Sequence, residues 1–126
     1  MTPSPIRARR GALARRDGRR GEMLCALLLI AKGYRILAFR MKTAQAEIDL
    51  LAVRGGVVAV IEVKRRRTLD EALDAVAPRQ RDRLLAAARS IAARRPDLAG
   101  APVRLDLMAL APGRWPRHIR DAWRDA

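Results

Sequence analysis

The stretch Glu47-Ile48-Asp49-Leu50-Leu51-Ala52-Val53-Arg54-Gly55-Gly56-Val57-Val58-Ala59-Val60-Ile61-Glu62-Val63-Lys64 reads as two apolar strands, folded back on each other at a pair of glycines. Two adjacent glycines between alternating apolar runs signal a hairpin, because both can take the positive φ that tight β-turns need. The expected strands run over 46–54 and 57–64. A symmetric turn sets Val53 opposite Val58, Leu51 opposite Val60, Asp49 opposite Glu62 and Glu47 opposite Lys64. With a side-chain period of two, the four charged groups then share one face, continued inward by Leu51, Val53, Val58 and Val60. Two facing carboxylates on apolar strands repel and lose hydration, so a positive group is expected between them. Lys64 is one candidate. A divalent cation is the other, since carboxylate oxygens suit Mg²⁺ or Mn²⁺, which need only one or two of them besides water and phosphate. The plainer alternative is a salt-bridged hairpin in which Lys64 neutralises Glu47. On this reading Glu47 is first the partner of Lys64 and only second a ligand.

Outward from the hairpin, the pattern predicts an α/β layer. A helix is expected over 21–32, buried on most sides, with Gly33 as its C-cap and Glu22 in its first turn. A strand follows over 34–40, then a polar connection over 41–44. Beyond the second hairpin strand come a short helical patch over 70–76 and a longer helix from Pro78 to Arg94, which Pro96 forbids from continuing. A fourth strand is expected over 103–109. The remainder, with Pro112, Pro116, Trp115 and Trp123, reads as irregular with a closing turn of helix. The order helix, three strands, helix, strand describes a mixed sheet covered by at least two helices. Residues 1–20 hold seven Arg, two Pro and little to bury, so they read as a disordered basic tail preceding one domain over 21–126.

The chain has 126 residues, half of them apolar, and a formal charge of +14 from 27 basic and 13 acidic side chains. One domain with a real core fits that length. The charge makes an acidic small-molecule carrier an unlikely class and a polyanion, nucleic acid first, the expected partner. The basic residues are 24 Arg and 3 Lys beside 24 Ala, which is also what a GC-rich genome writes without selection for binding. The lone Cys25 excludes an internal disulfide and a multi-cysteine metal site, and fits a reducing cytoplasm. The longest apolar run, 23–31, falls short of the roughly 20 residues a membrane span needs, so no membrane partner is expected.

Ile61-Glu62-Val63-Lys64 after a hairpin carrying Asp49 resembles the PD-(D/E)XK nuclease core. Gly33-Tyr34, Glu47-Ile48-Asp49-Leu50, Val60 to Arg66, Arg79-Gln80-Arg81, Arg83-Leu84, Arg104-Leu105-Asp106 and the late Ile119, Asp121 and Ala122 resemble, more closely, the YraN-type family of uncharacterised bacterial proteins. That family is itself similar to archaeal Holliday-junction resolvases, and the match spans about residues 21–123. The resemblance implies a restriction endonuclease-like fold and a metal-dependent endonuclease, with DNA ahead of RNA as its polymer and branched DNA among its substrates. It implies that Asp49 and Glu62 hold Mg²⁺ or Mn²⁺, that Lys64 positions or activates the attacking water, and that Glu22 completes the site. Gln80 would be an accessory residue near the scissile phosphate. The chain departs from the family at Ala46, Arg79 and Leu105, none of them a metal or lysine position.

The residues themselves leave alternatives open. Gln80 shares a helical stripe with Leu84 and Ile91, so it faces the sheet, either toward a site or as a hydrogen bond at the helix start. Glu22 is equally an acid favoured by the helix dipole. Asp106 shares a face with Arg104, and a structural salt bridge is expected there. Arg65, Arg66 and Arg67 follow Lys64 directly and would meet a phosphate backbone entering the site, with Arg79, Arg83, Arg94 and Arg95 extending that surface. Aromatic residues are scarce, which favours recognition by backbone and shape over stacking on single-stranded bases. Two rival readings stand beside the nuclease: a non-catalytic nucleic-acid-binding module on the same fold, and a basic structural protein assembling on a macromolecule such as ribosomal RNA. A homodimer is left open.

Overall fold

The computed structural model describes residues 19–124. A helix over 19–31 (α1) leads into three strands, β1 (Arg35–Lys42), β2 (Glu47–Arg54) and β3 (Val57–Arg65). Two helices follow, α2 (Leu69–Asp74) and α3 (Pro78–Arg94), then β4 (Val103–Leu110) and β5 (Arg117–Ile119). The strands form one sheet in chain order, with β3 and β4 parallel and every other pair antiparallel. This is an α/β fold, a mixed sheet flanked by helices. No described helix is long and apolar enough to cross a membrane. The expected basic tail falls, but for residues 19 and 20, outside the described residues, and those two belong to α1.

The glycine turn closes as its sequence demands, with Gly55 at φ 57° and Gly56 at φ 75°. Leu50 to Arg54 then pair with Val57 to Ile61 in the expected register. Parallel β3 and β4 cannot be joined by a tight turn and need a crossover, which α2 and α3 supply. A crossover helix returns against its strands, so the first turn of α3 lies at the edge of the sheet where β3 ends. Thr68 starts α2 by accepting a hydrogen bond from the Glu71 backbone N–H at 3.1 Å. Pro78 opens α3 at a position where its missing N–H has no helical partner to lose.

Each face of the sheet has its own core. Leu51, Val58, Val60 and Leu105 pack against Leu84, Ala87, Ala88 and Val76 on the α3 side. Leu50, Ala59, Ile61 and Met108 pack against Cys25, Ala26, Leu29 and Tyr34 on the α1 side. Full burial of each large side chain contributes about 1.5–3 kcal/mol. Cys25 is a core residue, and burial together with the nearby Glu22 pushes its thiol up to about 12.

Two expectations need correction. The first helix is not buried on most sides: Met23, Leu27 and Ile30 are more than half exposed, because α1 covers one sheet face and no described element covers its outer side. The C-terminal segment is not wholly irregular either. Residues 117–119 pair with Ala109, Met108 and Leu107 as β5. A three-residue polar strand carries no periodicity to read, and its pairing with β4 defines it.

Candidate functional site

The outer end of the β2–β3 hairpin brings three of the expected site residues together. Glu62 and Lys64 continue the alternation of Val58 and Val60 and so project on the α3 side. The Lys64 ammonium lies 3.5 Å from Glu62 Oε1. Asp49 enters from β2, and its Oδ2 accepts a hydrogen bond from the Val63 backbone N–H at 2.8 Å. That contact stands where the regular β2–β3 ladder has ended at Leu50 and Ile61.

The expected set of four on one face is therefore only partly right. Alternation breaks at Asp49: Leu50 packs on the α1 side, yet Ile48, two residues away, packs on the α3 side. The register between β1 and β2 sets Arg40 across from Asp49, between the Phe39↔Leu50 and Met41↔Ile48 pairs. Arg40 has a φ of 47°, in the left-handed region. An L-residue there costs about 1–2 kcal/mol, and it turns the end of the β1–β2 ribbon so that Asp49 reaches toward β3. Glu47, beyond the kink, is exposed, and Lys64 pairs with Glu62 rather than with Glu47.

Electrostatically, the pair is an acid trap. Glu62 is 5 % exposed, and its Oε2 is buried without a hydrogen-bond partner. Burial, then the neighbouring Asp49 carboxylate, pushes Glu62 up to about 7, against the pull of Lys64. Asp49 is also raised, by burial and by Glu22, while the Val63 N–H and Lys64 oppose the shift. Two like charges at close quarters favour keeping a proton between them.

Glu22 lies near enough to Asp49 to raise it, but it already has a partner. Arg40 Nε donates to its Oε2 at 2.7 Å, so the expected third ligand is already paired with a cation. Among the described residues, no group of three His, Cys, Asp or Glu side chains comes together as a metal-holding set. What remains fits a hard cation nonetheless: two adjacent carboxylates, one with an orphaned buried oxygen, match the small protein share of a Mg²⁺ or Mn²⁺ shell.

Gln80 sits half-buried in the first turn of α3 and makes no hydrogen bond to the carboxylates. Arg65, Arg66 and Arg67 are exposed beyond Lys64. Arg79 and Arg83 are exposed on α3 and line a shallow groove with Gln45 of the β1–β2 loop. Arg95 does not extend this surface freely, because Asp97 takes its guanidinium in a two-point contact at 3.0 and 3.2 Å.

Asp106 is structural, as its spacing from Arg104 implied. Arg104 grips it through two hydrogen bonds of 2.7 and 2.8 Å, His118 Nε2 lies 2.8 Å away, and the Asp121 N–H donates at 3.0 Å. Burial alone would raise this fully buried carboxyl, but these partners hold it below the ordinary range. Arg104 also donates to the Tyr34 hydroxyl, and Lys32 lies 2.7 Å from His118 Nδ1. The cluster ties the end of α1 to β4 and β5.

The match between this chain and known sequences covers the same framework. The model of the uncharacterised protein family UPF0102 matches residues 21–110, from α1 through β4. The chain belongs to the UPF0102 family. It is 59% identical over 118 residues to a UPF0102 protein of Caulobacter vibrioides, with 94% of each chain covered. A UPF0102 protein of Parvibaculum lavamentivorans is 48% identical over 114 residues, with 90% of this chain and 86% of the relative covered. The expected membership of an uncharacterised bacterial family is met. The UPF0102 names assign no activity, so the chemistry of this UPF0102 chain is argued from its own side chains. Sequence reasoning missed Arg40, whose place across from Asp49 needed the β1–β2 register.

Proposed function

We propose that this chain is a nucleic-acid-binding, metal-dependent phosphodiesterase whose substrate is DNA with branched or flapped structure. The observation that supports it is the buried Glu62 Oε2 without a partner, beside Asp49 and within 3.5 Å of Lys64. A Mg²⁺ or Mn²⁺ ion held by Asp49 and Glu62 would supply Lewis-acid stabilisation of the charge that develops on the phosphoryl oxygens. Lys64 presents an ammonium next to the same carboxylate, where it can orient a water for in-line attack on phosphorus and offset phosphate charge. Water adds to phosphorus and releases a proton to solvent, the ester P–O bond breaks, and the departing oxygen takes a proton from solvent water. Arg65, Arg66 and Arg67 continue from Lys64 and would hold the backbone beside the reacting phosphate, with Arg79 and Arg83 extending the basic surface along α3. Gln80, half-buried in the first turn of α3, would be the accessory group.

The test is cleavage of branched and flapped DNA with Mg²⁺ or Mn²⁺. Glu62→Ala and Lys64→Ala are each expected to abolish it while the far-ultraviolet circular dichroism stays that of the wild type. Equal cleavage by wild type and both variants would sink the proposal. A second reading draws on the ion pairs already made, Lys64 with Glu62 and Arg40 with Glu22, which let the acids serve as a purely structural brace. A non-catalytic binding module is then the outcome if DNA binds with a steep salt dependence and no Mn²⁺ is taken up at Asp49 and Glu62.

A further inference from the structure

A second concave site lies just past the catalytic candidates. The end of β3 and the loop between β4 and β5 enclose a pocket of about 260 Å³ lined by Arg66, Arg67, Arg114, Arg117 and Trp115, and no lining residue is acidic. Trp115 is 80% exposed. An indole presents a broad π-face, and with guanidinium groups around it that face can take a planar ligand whose phosphates the arginines hold. The contrast with the other tryptophan is sharp. Trp123 donates its indole N–H to the Leu73 carbonyl at 3.1 Å and lies under the Arg81 guanidinium, whereas Trp115 has no hydrogen-bond partner among the described residues.

The loop that carries Trp115 is fixed at both ends. The Arg114 N–H donates to the Ala111 carbonyl at 3.3 Å, Pro116 is buried, and Arg117 pairs with Ala109 on β4. Ala109 in turn pairs with Lys64 on β3. Lys64, Ala109 and Arg117 thus stand in one cross-strand row, and paired residues project to the same face. Two strand spacings, roughly 10 Å, separate the backbone of the site lysine from that of Arg117. A chain of phosphates leaving Lys64 along this row would arrive at four guanidinium groups and a bare aromatic face.

We propose that this pocket binds an unpaired nucleotide, with its base stacked on Trp115 and its flanking phosphates held by Arg66, Arg67, Arg114 and Arg117. A base presents a π-face whatever its identity, and arginine contacts neutralise the backbone, so the pocket accepts single-stranded nucleic acid without sequence preference. A fully paired duplex keeps its bases stacked inside and offers the indole nothing. The pocket therefore selects nucleic acid with a single-stranded segment next to the cleavable phosphate. This inference rests on the nucleic-acid half of the proposed function and not on cleavage.

Direct binding of the full chain to a short oligothymidylate and to a blunt duplex of the same length, without metal, tests it. Wild type is expected to bind the single strand with quenching of tryptophan emission. Trp115→Ala is expected to weaken single-strand binding roughly tenfold, within the range of stacking losses, while duplex binding changes by less than about twofold. Trp115→Phe keeps an aromatic platform and is expected to retain most of the single-strand affinity. An unchanged single-strand affinity in Trp115→Ala, an equal loss on both polymers, or a Trp115→Phe as weak as Trp115→Ala would each overturn the stacking site and leave the hydrolytic proposal standing. Wild-type protein that binds neither polymer overturns the nucleic-acid reading and this pocket together. Cleavage that survives Glu62→Ala overturns the proposed chemistry and leaves the pocket untouched.

Discussion

Glu62 and Asp106 are both buried acids, and their surroundings drive them in opposite directions. Unfolded, Glu62 ionises near its ordinary 4.5; folded, it keeps its proton until about 7. The folded chain therefore holds more protons between those values, and the stability this group contributes is full below about pH 4.5 and lost as pH rises through 7. The interval, in which the pull of Lys64 is already counted, converts to about 3 kcal/mol at 1.36 kcal/mol per unit. Glu62→Gln is therefore expected to stabilise the metal-free protein by about 2 kcal/mol at pH 8, with the advantage gone at pH 4.5. Urea denaturation at the two pH values with a chelator present reads it, and the same offset at both would remove Glu62 as the trapped acid. Asp106 runs the other way: its contribution is present above its ordinary 3.8 and fades as pH falls through its depressed folded value. The Asp106–Arg104 pairing was legible because two residues on one strand face are neighbours. Its partners His118 and Tyr34, and Arg40 beside Asp49, come from distant elements, and nothing local announces them.

At the level of elements, the turn at Gly55-Gly56 positions the site. Both residues have positive φ, a region that costs an L-residue with a branched side chain about 1–2 kcal/mol. Gly56→Val is expected to lower stability by about that amount, measurable as a lower urea midpoint at unchanged slope. A neutral result would mean the turn does not set the register. The turn, its register as far as Leu50 and Ile61, and α3 between Pro78 and Pro96 all follow from residues whose backbone chemistry leaves one option. The kink at Arg40 was not legible for the opposite reason. Arginine has no preference for left-handed backbone, and its partner Glu22 comes from α1, 18 residues away. Period-two reasoning assumes a regular strand, so it carried Asp49 and Glu47 onto one face where the kink separates them. The one-sided burial of α1 was hidden likewise, since an unbroken apolar run such as 23–31 looks the same whether one or two helix faces are covered.

For the whole molecule, the charge of +14 matters through where it is left unpaired. Arg40, Arg95 and Arg104 are occupied by acids within the fold, while Arg66 and Arg67 stand exposed beyond Lys64. Each phosphate contact on duplex DNA adds about 0.9 to the slope of log affinity against log salt. The double variant Arg66→Ala, Arg67→Ala is expected to reduce that slope by about two, and an unchanged slope would take this run off the backbone. The two borders of the sheet carry a separate consequence. On one side β1 exposes Arg35, Arg40 and Lys42 and is bent by its left-handed residue; on the other, β5 offers only three residues, one of them Arg117. Charged, kinked and very short edges are poor templates for another strand. Any second copy of this chain must accordingly be met through side chains, not by lengthening the sheet, and the long apolar strands at its centre are kept from seeding cross-β growth.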